Sequence, residues 1–179
     1  MADRTRILLV SGSTRAESAN TAALRTLRAV ASRPVTAVLY DELSALPAFN
    51  PDDDRVPLPE AAGRLRRAIA DCDAVVFCTP EYAGSLPGSF KNLLDWTVGG
   101  GEMYGKPTAW INVAAVGRGA GAEESLASVL GYVGAAVIDK ACRRIMLPRQ
   151  AIGPDGLVGD PEFREDVGRM IEDIVDAVG

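Results

Sequence analysis

The chain has 179 residues, 47% of them hydrophobic, and a formal net charge of −5, which together indicate one globular domain with a sizeable core. The negative charge argues against nucleic acid or an anionic membrane as a partner, because both attract basic surfaces. The absence of histidine excludes every mechanism with a histidine base, and three cysteines without CxxC spacing do not suit a zinc site or a disulfide framework. We find no signal peptide and no apolar stretch of transmembrane length, so we expect a cytoplasmic protein.

The first apolar run, Arg6 to Val10, predicts a strand that is followed by a polar loop and then by a helix with Asn20 as its N-cap. Free N–H groups at a helix N-terminus bind anions. The segment adds hydroxyl groups and one guanidinium, from Ser11, Ser13, Thr14, Arg15, Ser18 and Thr21. It lacks the glycines of a dinucleotide fingerprint and the Gly-Lys-Ser/Thr ending of a Walker loop. We therefore predict a monophosphate site, the alternative being a serine-rich turn that only caps the helix.

The rest of the chain alternates strands and helices without a repeat or a linker. Strands are predicted at 35–40, 74–79, 107–115 and, in broken form, within 136–147. Helices are predicted at 60–71, from Pro87 to the break at 99–101, at 122–133 and at 161–178. This alternation predicts one α/β domain over residues 1–179, a doubly wound three-layer sandwich around a five-stranded parallel sheet. The acidic run at 52–54 could hold a divalent metal, but we interpret it as a solvated loop.

Ligands of such sheets bind beyond the carboxyl ends of the strands. In the strand order 2-1-3-4-5, which we expect here, strands one, three and four are neighbours, so the loops that follow them would meet at one crevice. In the second loop we expect the backbone N–H groups from Tyr82 to Ser85 to face a ligand, with Gly84 allowing close approach and Tyr82 offering an aromatic face. The third loop, with Gly117 and Arg118, can fold over an edge of that ligand. A phosphate at one end and a planar heterocycle at the other describe a mononucleotide, and FMN fits.

Two ordered motifs resemble those of the NAD(P)H-dependent FMN reductases, a family with the flavodoxin-like fold. They read Gly12-Ser13-Thr14-Arg15-x-x-Ser18-x-Asn20-Thr21 and Thr79-Pro80-Glu81-Tyr82-x-Gly84-Ser85-x-Pro87-Gly88. The resemblance implies that the FMN phosphate is held by Ser13, Arg15, Ser18, Asn20 and Thr21. It implies that the isoalloxazine is lined, largely through main chain, by Pro80, Glu81, Tyr82, Ala83, Gly84 and Ser85. Gly117 and Arg118 would contact its pyrimidine side. Many relatives carry asparagine at the position of Ala83, so a side-chain contact there is lost or replaced.

The resemblance also implies an enzyme that passes hydride from NADPH or NADH, through FMN, to a quinone, free flavin, azo compound or metal oxyanion. No protein nucleophile and no metal are needed, which suits a chain without histidine. Members of the family are generally homodimers or homotetramers. The alternatives are a flavodoxin-like electron carrier, which would turn over poorly with NAD(P)H, and a receiver-type signalling domain. The latter needs a phosphoacceptor aspartate at the end of strand three, where Thr79-Pro80 stands instead.

Several of these residues also have a purely structural interpretation. Tyr82 could be a packing residue and Glu81 a surface carboxylate. Lys91 and Asp95 have the spacing of an ion pair on a helix. Trp96 is interpreted as structural or, together with Tyr104, as part of a subunit contact. Cys78, in an apolar run, is expected to be a small buried hydrophobe.

Overall fold

A parallel sheet forms the middle layer of the molecule. The computed structural model describes residues 5–179. Residues 1–4, which precede the first predicted strand, lie outside that range. The strands are β1 Arg6–Ser11, β2 Thr36–Tyr40, β3 Ala74–Cys78, β4 Pro107–Asn112, β5 Ala136–Val137 and β6 Arg143–Arg144. All pairs are parallel and the order is β2-β1-β3-β4-β5, with β6 also pairing with β4. The predicted order and the flavodoxin-like α/β fold are confirmed.

The fifth position of the sheet is occupied by two short pieces rather than one strand. β5 pairs with the start of β4 and β6 pairs with its end, and a short 3-10 helix, Asp139–Ala141, separates them. The predicted break within 136–147 is therefore correct. Beyond β6 the chain stays beside β4, because the N–H of Leu147 donates to the carbonyl of Val113. This brings the segment after β6 to the carboxyl edge of the sheet.

Five helices cover the two faces of the sheet. They are α1 Ala19–Val30, α2 Glu60–Ala70, α3 Gly88–Asp95, α4 Ala120–Tyr132 and α5 Pro161–Val178. α1 and α5 share one buried cluster with Ile7 and Leu9 of β1, whereas α2, α3 and α4 share the other with Leu8 and Val10. Strands buried on both faces explain the continuous apolar runs in the sequence. Across residues 5–179, no helix combines the length and the apolar character that crossing a membrane requires.

Helix α1 begins two residues before the predicted start, and its N-cap is Ser18 rather than Asn20. Ser18 has an extended backbone, and its hydroxyl accepts a hydrogen bond from the N–H of Thr21 at 3.4 Å. Asn20 lies instead within the first turn, where it is buried and its Oδ1 accepts a hydrogen bond from the Cys78 thiol at 3.4 Å. Serine and asparagine are both good N-cap residues. Because the Asn20 side chain is bound to Cys78 of β3, Ser18 takes the N-cap position.

The acidic run is only partly solvated. Asp52 and Asp53 are exposed, but Asp54 forms an ion pair of 2.6 Å with Arg66 of α2, and the two side chains are only 13% and 11% exposed. The interpretation of the whole run as a solvated loop is therefore wrong for Asp54, whose partner lies 12 residues away.

Trp96 is a core residue, which excludes it from a subunit contact. Its side chain is fully buried, its Nε1 donates to the carbonyl of Pro47 at 2.9 Å, and its ring meets the ring of Phe49 edge-on at 5.0 Å. Tyr104, by contrast, is 81% exposed. The predicted ion pair on α3 is present, with Lys91 Nζ 2.5 Å from Asp95 Oδ1.

Candidate functional site

The loop after β1 is fixed against the end of β3. The N–H of Gly12 donates to the carbonyl of Cys78 at 2.9 Å. A Cβ at position 12 would lie 2.2 Å from Thr79 Oγ1, so a larger residue would have to push the second loop away. The first and second loops therefore lie side by side at the carboxyl edge of the sheet, as predicted for adjacent strands.

Hydroxyl groups shape the first loop from within. The Ser11 and Thr21 hydroxyls are 2.8 Å apart, and Ser11 Oγ also accepts from the N–H of Ser13 at 3.3 Å. The N–H groups of Ala19 and Asn20, at the start of α1, have no acceptor within residues 5–179. The loop thus presents an open helix N-terminus, the property that makes such a position attractive to an anion.

The predicted phosphate residues surround this helix N-terminus but do not all face one cavity. Ser13, Arg15 and Thr21 line a cavity of about 180 Å³ between the loop and the end of β2. Ser18 lines a cavity of about 750 Å³ on the other side, against residues 149–156. The Arg15 side chain is exposed and forms no ion pair with any carboxylate of the described residues.

The second loop is a tight hairpin. Tyr82 and Ser85 exchange two backbone hydrogen bonds of 3.0 Å, and the residues between them, Ala83 and Gly84, have φ values of 50° and 73°. Two consecutive positive φ angles are typical of a type I′ turn. The prediction that N–H groups from Tyr82 to Ser85 face a ligand is therefore wrong for the two outer ones. The N–H groups of Ala83 and Gly84 have no acceptor in the part of the chain that the structure describes.

The two residues that begin the hairpin differ in what their side chains do. The Tyr82 side chain is exposed, with 53% of its surface accessible, so it is not a core packing residue. Glu81, next to the partly buried Pro80, is neither exposed nor free. Its Oε2 accepts hydrogen bonds from the N–H groups of Gly121 and Ala122, at 2.8 and 3.3 Å. The interpretation of Glu81 as a surface carboxylate is therefore wrong.

The sequence analysis missed this bond, although the sequence contains a signal for it. The N-cap of α4 is Gly119, whose lack of a side chain leaves the first N–H groups of the helix to find a partner elsewhere. A carboxylate in a neighbouring loop is the natural candidate for that role. The identity of the residue could not be read from the sequence, because Glu81 lies 40 residues before Gly121.

The third loop is braced by Asn112, a second residue that the sequence analysis missed. Its Oδ1 accepts from the N–H of Ala114 at 3.0 Å, and its Nδ2 donates to Glu123 Oε2 at 2.7 Å. Gly117 has a φ of 78°, and a Cβ there would meet nothing within 4 Å, so the tip of the loop is open to a ligand. Arg118 is exposed, and its carbonyl accepts from the guanidinium of Arg144 at 2.7 Å.

Cys78, beneath the first loop, is not a candidate nucleophile. Its side chain is fully buried, and burial raises the pKa of its thiol far above the ordinary value. The thiol therefore stays neutral at physiological pH, which confirms the prediction of a small buried hydrophobe.

The sequence and the fold match one family. Residues 5–143 match the family model described as NADPH-dependent FMN reductase. The chain belongs to this family. Among its relatives, an NAD(P)H-dependent FMN reductase of Pseudomonas aeruginosa is 31% identical over 175 residues, which is 96% of this chain and 94% of the relative. A quinone reductase of Pseudomonas putida is 33% identical over 169 residues, which is 92% of this chain and 83% of the relative.

The chain is also similar to an azoreductase and to a flavoenzyme of known structure. The NADPH azoreductase of a Bacillus species is 36% identical over 140 residues, 76% of this chain and 72% of the relative. Among solved structures, the flavoenzyme FerB from Paracoccus denitrificans, an NAD(P)H:(acceptor) oxidoreductase, superposes with a TM-score of 0.85 at 29% identity, covering 97% of both chains. The chain is thus an oxidoreductase of a family that uses FMN, a reduced nicotinamide nucleotide and small-molecule acceptors.

Proposed function

We propose that this protein passes hydride from NADPH or NADH, through FMN bound at the three loops, to a small acceptor such as a quinone, free flavin, azo compound or metal oxyanion. One observation carries the proposal. An open helix N-terminus beside Arg15 lies on the same edge of the sheet as a hairpin with two N–H groups that have no acceptor within residues 5–179. The two loops touch at Gly12 and Thr79. When bound, FMN supplies the hydride chemistry, and the chain supplies position and electrostatics.

The first loop fits a phosphate group. Among residues 5–179, the N–H groups of Ala19 and Asn20 have no acceptor and the fork-shaped guanidinium of Arg15 has no carboxylate partner. A phosphate needs several such donors at once. Ser13 and Thr21 add hydroxyls. Ser18 acts indirectly in this proposal, because its hydroxyl already caps α1.

The hairpin fits the edge of a planar ring. The N–H groups of Ala83 and Gly84 are available as donors, and the exposed Tyr82 ring is available as an aromatic surface. Ser85 is engaged elsewhere, since its hydroxyl lies 3.0 Å from that of Ser125 in α4. Across from the hairpin, Gly117 and Arg118 at the open tip of the third loop would contact the pyrimidine side of the ring.

We also propose that the chain forms one domain that assembles as a homodimer or homotetramer. Exposed large side chains near the ends of α3 and α4 support this, since Val98 is 61%, Tyr104 81% and Tyr132 91% exposed. Light scattering on the purified protein, combined with a Tyr132→Ser variant, measures the mass and tests this surface. A monomeric wild-type protein would contradict the proposal.

The function is tested first by the absorbance of the purified protein after FMN addition and gel filtration, then after anaerobic NADPH. We expect flavin bands that stay with the protein and bleach with NADPH. Retained flavin that NADPH cannot bleach would favour an electron carrier instead. If no flavin stays with the protein, the proposed function is wrong.

The phosphate assignment is tested by Arg15→Ala. Loss of a charge-assisted hydrogen bond should raise the FMN Kd by about 10- to 100-fold, while bound flavin should still be reduced by NADPH at nearly the same rate. FMN fluorescence titration measures the affinity. Arg28→Ala is the matched control, because Arg28 is exposed at the far end of α1 and its loss should leave the Kd unchanged. An equal Kd for Arg15→Ala and wild type would remove Arg15 from the site.

A further inference from the structure

The carboxylate of Glu81 links the second loop to α4, the helix that follows the third loop. Glu81 Oε2 accepts from two successive N–H groups at the start of α4, those of Gly121 and Ala122. No acceptor within α4 can serve these N–H groups, because they belong to its first turn. The carboxylate therefore caps α4 from a loop 40 residues earlier in the chain.

Two further contacts join the 82–85 hairpin to the first turn of α4. A Cβ at Gly121 would lie 2.2 Å from the carbonyl oxygen of Gly84, so the hairpin backbone rests directly on the helix. The Ser85 and Ser125 hydroxyls are 3.0 Å apart, and the Ser125 hydroxyl also donates to the carbonyl of Gly121 at 2.7 Å. The hairpin and the first turn of α4 thus form one unit.

The carboxylate also changes the charge beside the hairpin. The N-terminus of a helix carries partial positive charge, and an anion within hydrogen-bond distance compensates it. No cation pairs with Glu81 among residues 5–179, so this helix end is its counter-charge. The hairpin N–H groups of Ala83 and Gly84 follow Glu81 directly in the chain.

We propose that Glu81 is a positioning residue of the flavin site: its side chain holds the 82–85 hairpin on α4 and places a negative charge beside the bound ring. The inference rests on the proposed function. Its mechanical part predicts that the hairpin donors lose their alignment when the carboxylate is removed. Its electrostatic part predicts that loss of the charge makes reduction of the bound flavin more favourable, because reduction adds negative charge to the ring.

Two substitutions separate these parts. Glu81→Gln keeps an oxygen that can accept from both N–H groups but removes the charge. It should leave the FMN Kd within about threefold of wild type and shift the flavin midpoint potential to a more positive value. Glu81→Ala removes both hydrogen bonds and should raise the FMN Kd by about tenfold or more. Fluorescence titration gives the Kd, and equilibration of the holoprotein with a reference dye gives the potential.

Glu124→Gln is the matched control. Glu124 lies in the same part of α4 and is exposed, and its side chain makes no hydrogen bond or ion pair within the described ranges. Neutralising Glu124 should shift the flavin midpoint potential less than neutralising Glu81 does, because solvent screens an exposed charge. Equal potentials for wild type, Glu81→Gln and Glu124→Gln would overturn the electrostatic part.

An unchanged FMN Kd in Glu81→Ala would overturn the mechanical part. If Glu81→Ala does not fold, Ser125→Ala tests the same contact between the hairpin and α4. This substitution should weaken FMN binding by about two- to fivefold. An unchanged Kd in Ser125→Ala would then count against the proposal. Failure of the proposed function is a different result, because then wild type itself would retain no FMN.

Discussion

Ala83 has a backbone conformation that is costly for a residue with a side chain. Its φ of 50° places it in the left-handed region, which costs an L-residue other than glycine, asparagine or aspartate about 1 kcal/mol. The hairpin needs this conformation because Tyr82 and Ser85 can exchange their two hydrogen bonds only across such a turn. An asparagine at this position would tolerate the conformation better than alanine does.

Ala83→Gly should therefore stabilise the protein by about 0.5 kcal/mol, because the relief of about 1 kcal/mol of strain is partly offset by a more flexible unfolded chain. Urea unfolding measures the change. Ala127→Gly is the control, because Ala127 is exposed in the middle of α4, where glycine should destabilise by about 1 kcal/mol. Destabilisation by both substitutions would show that Ala83 is not strained.

On the scale of elements, α4 contains two glycines with opposite surroundings. A Cβ at Gly121 would collide with the carbonyl oxygen of Gly84, whereas a Cβ at Gly131 would meet nothing within 4 Å. Helix propensity alone would favour alanine at both positions. The close approach of the hairpin is therefore the reason for glycine at position 121.

Gly131→Ala should stabilise the protein by about 0.5–1 kcal/mol, as alanine does in an open helix position. Gly121→Ala should instead destabilise it by about 1–3 kcal/mol, because the hairpin backbone has to move. Thermal unfolding of the two variants gives the comparison, and FMN retention should fall only for Gly121→Ala. Stabilisation by both would mean that the hairpin does not rest on α4.

The elements themselves were predictable because their signals are local. Apolar runs such as Arg6 to Val10 and the apolar stripes of helical period depend only on near neighbours in sequence, and their alternation indicates a doubly wound α/β fold. The contacts that shape the site were not predictable. Asn20 is held by Cys78, Glu81 by Gly121, and Asp54 by Arg66, and in each case the partner is distant in the chain.

On the scale of the whole molecule, buried titratable groups should make the fold sensitive to alkali. Burial raises the pKa of Cys142 to about 11 and that of Tyr40 to about 12, and it also raises the pKa of the Cys72 thiol. Each group holds its proton more tightly in the folded than in the unfolded state. Their contributions to stability are therefore complete at neutral pH and are lost as the pH rises from about 9 to about 12.

Tyr40→Phe isolates one of these groups. The Tyr40 hydroxyl is buried and has no hydrogen-bond partner within residues 5–179, so its removal should leave stability at pH 7 unchanged or slightly higher. Between pH 10 and 12 the variant should lose about 2 kcal/mol less than wild type does, as expected for a raised tyrosine pKa. Urea unfolding as a function of pH measures both. Parallel pH curves for the two proteins would contradict the assignment.

The packing of α1 against α5 has a consequence for the order in which the protein is made. The apolar stripe of α1, including Leu24 and Leu27, shares its buried cluster with Phe163 and Val167 of the last helix. The N–H of Val158 also donates to the buried Thr26 hydroxyl of α1 at 2.8 Å. These contacts cannot form until the segment from Val158 to Val167 has left the ribosome. Until then, the helix that presents its N-terminus to an anion lacks the packing that buries its apolar stripe.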